Sequence, residues 1–101
     1  MSSQAELFNK TVTEQFNIFD RANPEVYKLF YSHVMDAITR GKKKTSSKMI
    51  INLIRWHYYL ETNTNDQFKI NDRYTSHYSR KFIRQHPEYS HIFEFRRMRK
   101  Q

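Results

Sequence analysis

At 101 residues the chain has room for one domain with a single modest core and too little for two. One glycine and two prolines exclude a hairpin-rich β protein, whose tight turns need residues at positive φ, so a mainly helical fold is expected. The net charge of +8 is unevenly laid out: residues 1–39 hold three Lys or Arg against five acids, whereas residues 40–101 hold fifteen against five. The positive excess therefore belongs to the second part of the chain and points to a polyanionic partner.

The absence of cysteine excludes disulfides and thiolate chemistry. Met1-Ser2-Ser3-Gln4-Ala5-Glu6 carries neither a positive region nor an apolar run, so no signal peptide is expected. No stretch approaches the roughly 20 apolar residues of a membrane span. A soluble protein of the host-cell cytoplasm is the expectation, organised as a single domain over residues 1–101.

In chain order, Ser2 or Ser3 can cap a first helix reaching about Asp20, with Phe8, Val12, Phe16 and Phe19 along one side. Residues 1–20 form an N-terminal arm that packs on the body or, alternatively, pairs two chains into a homodimer. Asn23 and Pro24 open a second helix to about Arg40, which Gly41 terminates. Lys42, Lys43 and Lys44 follow, at the negative end of that helix dipole and just before the next caps, where helix-turn-helix proteins meet the phosphate backbone. Thr45, Ser46 and Ser47 offer caps for a third helix through about Leu60, the most apolar of the four, expected to be central with Trp56 in the core.

Phe68-Lys69-Ile70 alternates like a brief strand. Asn71 or Asp72 then caps a basic helix over residues 72–86, closed by Pro87. Tyr74, Tyr78 and Phe82 recur every four residues as an apolar stripe, and Arg73, His77, Arg80 and Arg84 form a cationic one. Residues 92–99 are dense in strand formers and read as a short C-terminal β segment pairing with Phe68–Ile70, with Arg96, Arg97 and Arg99 as a basic end. Three helices, the basic helix and a β segment give a mainly α fold of winged helix-turn-helix type, with its core at residues 24–99.

The five histidines show no zinc spacing, one glycine cannot make a phosphate loop, and ten scattered acids give no paired carboxylates, so neither metal, cofactor nor enzymatic activity is expected. The best reading is nucleic-acid binding, duplex DNA foremost, through the basic helix. Lys69, Arg73, Ser76, His77, Arg80, Lys81 and Arg84 would contact it, with Lys42, Lys43, Lys44, Arg96, Arg97 and Arg99 flanking on the backbone. The alternative is a modulator or inhibitor that docks the same basic surface on an acidic host protein. Composition does not separate these two.

The segment from Phe19-Asp20-Arg21-Ala22-Asn23-Pro24-Glu25-Val26-Tyr27 through Ile54-Arg55-Trp56-His57 and Phe68-Lys69-Ile70-Asn71-Asp72-Arg73-Tyr74 to His86-Pro87-Glu88 and Phe93 resembles small bacteriophage and prophage proteins. The resemblance covers about four fifths of the chain by the positions it spans. It implies a phage or mobile-element origin and no particular activity. His57 stands where the resemblance leads one to expect an acid more often, which further weakens a catalytic reading there.

Overall fold

A computed structural model describes residues 10–61 and 69–93. Within them the chain is mainly helical: α1 is Val12–Ala22, α2 Pro24–Thr39, α3 Ser47–Glu61 and α4 Thr75–Gln85, with 3-10 turns at Asp72–Tyr74 and Pro87–Ile92 on either side of α4. No described helix is long and apolar enough to cross a membrane.

The helix ends have local causes. Thr11 caps α1 reciprocally: its hydroxyl accepts from the Glu14 N–H at 3.1 Å while the Glu14 carboxylate accepts from the Thr11 N–H at 3.2 Å. Donation from the Thr11 N–H, and then from the Thr11 hydroxyl at 3.1 Å, holds the Glu14 carboxyl below the usual carboxylate range. Pro24 starts α2, where a missing N–H costs nothing. At its end Gly41 takes φ 80°, Gly41 N–H donates to the Ile38 carbonyl and Lys42 N–H to that of Ala37, both at 3.0 Å. This is a Schellman closure, and the one glycine of the chain sits where a Cβ would be strained. Ser46 caps α3 by accepting from Met49 N–H at 3.2 Å, and Asn71 caps the turn before α4 by accepting from Arg73 N–H at 2.9 Å.

The core is built on α4. Tyr78 and Phe82 are fully buried and Tyr74 nearly so, as the four-residue spacing predicts. Phe16 from α1 meets the Tyr78 ring edge-on at 4.8 Å, Phe30 from α2 lies 5.7 Å from it, and Phe93 closes over both Phe30 and Phe82. Such offset and edge-on pairs add about 0.5–1.5 kcal/mol each beyond the area they bury.

Three expectations are corrected. First, α3 is not central. Ile50, Ile51 and Ile54 are buried, but Trp56 is 58% exposed and Met49, Leu53, Tyr59 and Leu60 are open as well. The helix has apolar residues on two opposite sides, and the body covers only one. Second, the winged-helix arrangement is not supported, since the described residues contain no strand. Pro87 starts 3-10 turns that carry Ile92 and Phe93 back into the core. There Thr45 N–H donates to the Ile92 carbonyl at 2.8 Å, and Phe93 forms an isolated parallel bridge with Thr45. Phe93 thus meets the start of α3 rather than Ile70, while Phe68 and residues 94–99 lie outside the described residues. Third, the helix that reaches Ala22 starts at the Thr11 cap and not at Ser2 or Ser3, while its apolar side packs on the body as expected, with Phe16 buried and Val12 and Phe19 against the core. Ser2, Ser3 and Phe8 lie outside the described residues.

Candidate nucleic-acid interface

The starts of α3 and α4 lie side by side. Ser47, the first residue of α3, donates its hydroxyl to the Thr75 carbonyl at 2.8 Å and so ties the two N-termini together. Between them opens a groove of about 630 Å³. One wall is Thr45, Ser46, Ser47 and Lys48; the other is Asp72, Arg73, Thr75, Ser76, Ser79 and Arg80, with Phe93 also lining it. Its chemistry is hydroxyls and cations.

The electrostatics follow from which charges have partners. Arg55 of α3 donates from Nη2 to the Asp72 carboxylate at 2.6 Å and to the Ile70 carbonyl at 2.5 Å, and from Nη1 to Asn52 at 2.9 Å. The guanidinium hydrogen bond and charge hold the Asp72 carboxyl below the usual carboxylate range. Asp72 is the single acid lining the groove among the described residues, and it is paired with Arg55. Lys48, Arg73 and Arg80 are exposed around it. The first turns of α3 and α4 contain no acid, although the positive end of a helix dipole favours one there, and α3 carries Lys48 in that turn instead. Two dipole ends and three cations therefore add with the same sign.

Lys42, Lys43 and Lys44 are exposed on the turn that runs directly into Thr45 at the rim. Lys69 is exposed just before the Asn71 cap, and Arg84 is exposed one helical turn beyond Arg80. Ser76 lines the groove, its carbonyl accepting from the buried Ser79 hydroxyl at 2.9 Å.

Two of the expected contacts point elsewhere. Lys81 reaches across to α1, where its ammonium pairs with Asp20 and sits 4.2 Å above the Tyr27 ring. His77 packs 5.2 Å from the Phe16 ring, with Nδ1 at 3.1 Å from the Arg73 carbonyl and Nε2 at 3.2 Å from the Thr13 hydroxyl. A ring protonated on Nδ1 donates to the first and accepts from the second. Both side chains staple α1 to α4. Arg96, Arg97 and Arg99 lie outside the described residues.

Sequence reasoning missed Lys48 and the groove-lining roles of Ser46 and Ser47, which read only as caps. The available signal was a lysine, with no acid, in the first turn of a helix preceded by three capping hydroxyls. No group of three or more His, Cys, Asp or Glu is gathered among the described residues. No family model matches the chain, and no curated protein or solved structure is significantly similar to it.

Proposed function

We propose that the chain binds the phosphate backbone of nucleic acid, duplex DNA foremost, along the groove between the starts of α3 and α4. Lys48, Arg73 and Arg80 neutralise phosphates there, while hydroxyls of Ser46 and Ser76 offer donors to phosphate oxygens. Lys42, Lys43 and Lys44 extend the track on one side, and Arg84 and Lys69 on the other. The observation that carries this reading is the pairing of Asp72 with Arg55, which leaves Lys48, Arg73 and Arg80 exposed around an open groove with no other acid lining it among the described residues. Contact of this kind needs no wing. The resemblance to bacteriophage and prophage proteins supports placing the activity in a host-cell cytoplasm. No catalytic step belongs to this reading.

Salt titration of duplex binding by fluorescence anisotropy tests it. Each neutralised phosphate contributes about −0.9 to the slope of log affinity against log salt, so five contacts give a slope of about −4 to −5. Arg73→Ala with Arg80→Ala should make that slope shallower by about 2 at unchanged fold. Absence of binding at low ionic strength, or a slope indifferent to both arginines, overturns the proposal. Capture of an acidic host protein that depends on the same residues, without duplex binding, would put the modulator reading in its place.

A further inference from the structure

The open side of α3 has an order of its own. Met49, Leu53, Trp56 and Leu60 succeed one another at intervals of four, three and four, each between 46% and 59% exposed. Tyr59, 67% exposed, stacks its ring on Trp56 at 5.4 Å. Alternating steps of four and three are the seam of a helix that packs lengthwise on another helix. The five side chains expose roughly 600 Å², the upper end of what a monomer leaves uncovered.

We infer that this face is the contact with a second copy of the chain, made by two α3 helices packed antiparallel about a two-fold axis. The intervals are symmetric about a point between Ile54 and Arg55, so a two-fold through that point matches the face to itself. Met49 then lies level with Leu60 of the second copy, and Leu53 with Trp56 of the second copy, a small side chain beside a large one at each inner level. Parallel pairing would instead set Trp56 against Trp56. Self-matching of this kind defines an isologous interface. Complete burial of two such faces removes at most about 1,200 Å² from water, the lower bound of specific stable interfaces.

Charge placement agrees. The seam holds no charged side chain; Arg55 is turned to Asp72 and Lys48 to the groove, leaving both off the contact. Antiparallel helices also set opposite dipole ends side by side. The remaining opposition is the +8 carried by each copy, so the contact strengthens as salt screens that repulsion. Phosphate binding weakens with salt. The dimer does not depend on the nucleic-acid reading, and it is measured without nucleic acid.

Sedimentation equilibrium over micromolar to hundreds of micromolar protein should give a monomer–dimer equilibrium that tightens with salt. Trp56 is the one tryptophan, so its emission should shift to the blue over the same concentration range. Leu53→Glu should give a monomer whose circular dichroism and dilute-solution melt are those of the parent. Because the chain has no cysteine, Met49→Cys mixed with Leu60→Cys should cross-link under oxidation, while Met49→Cys alone should not. A monomer mass at every concentration with a water-like Trp56 spectrum overturns the inference, as does a dimer untouched by Leu53→Glu. Self-cross-linking of Met49→Cys refutes the antiparallel geometry.

Discussion

Tyr78→Phe should stabilise the protein, although it removes a polar group from the centre of the fold. The side chain is fully buried, its ring held by Phe16 at 4.8 Å and Phe30 at 5.7 Å, and its hydroxyl has no hydrogen-bond partner among the described residues. A buried unsatisfied hydroxyl costs about 1–3 kcal/mol. Phenylalanine keeps every ring contact and leaves a void of one oxygen, worth a few tenths of a kcal/mol at roughly 24 cal/mol per Å³. The net expectation is a gain of about 1 kcal/mol, a rise in Tm of about 4–8 °C for a domain of this size.

Alkaline titration gives an independent reading of the same residue. Burial, then the charge of Asp20, pushes the Tyr78 phenol above its ordinary 10.0, and burial foremost pushes Tyr27 up to about 12. Both groups are neutral in either state below pH 10. Above it the unfolded chain ionises first, so stability falls as pH rises through the raised folded-state values. Tyr78→Phe should therefore lose less stability between pH 10 and 12 than the parent, read by urea titration at each pH. A loss of about 1 kcal/mol or more at neutral pH would refute the reasoning, because the hydroxyl would then be satisfied, for instance by a water shared with the unpartnered Asp20 Oδ1.

Trp56→Ala, melted at dilute and hence monomeric concentration, should change stability by no more than about 0.5 kcal/mol, the range for an exposed position. Phe30→Ala in the same assay should cost about 3–5 kcal/mol, because Phe30 is fully buried; equal effects would reverse the assigned faces. Lys81→Met should cost about 1–3 kcal/mol, less than breaking a fully buried pair because the two side chains keep 24% and 13% exposure, and should leave the salt slope of duplex binding unchanged. A shallower slope in that variant would return Lys81 to the interface.

The elements were legible wherever a local rule has one outcome. Gly41 terminates α2 because a positive φ there suits glycine alone, and the Asn71 cap and Pro87 bound the last helix because each acts on its own neighbours. The buried stripe of Tyr74, Tyr78 and Phe82 followed from spacing. Failures came where one pattern admits two partners. The apolar residues of α3 reach round both sides of the helix, and periodicity does not say which side the body covers. Ile92 and Phe93 have strand propensity, yet the turns after Pro87 direct them into the core against Phe30 and Phe82.

For the candidate site the unreadable part was the pairing of charges across long separations. Arg73, His77, Arg80, Lys81 and Arg84 look alike as one cationic run, but distant residues divide them. Asp20 takes Lys81 from 61 positions away, and Thr13 takes His77 from 64 away, both on α1. Arg55 in turn takes Asp72, 17 positions away, and so pairs the one acid that lines the groove among the described residues. One acid of the first part of the chain, Asp20, thus locks Lys81 to α1, whereas the acid on the groove is paired from α3. Net charge alone would make every basic residue equally a binding residue. The pairing selects Lys48, Arg73 and Arg80 because they line the groove and form no salt bridge among the described residues, and it is this selection that the salt slopes of the arginine and Lys81 variants test separately.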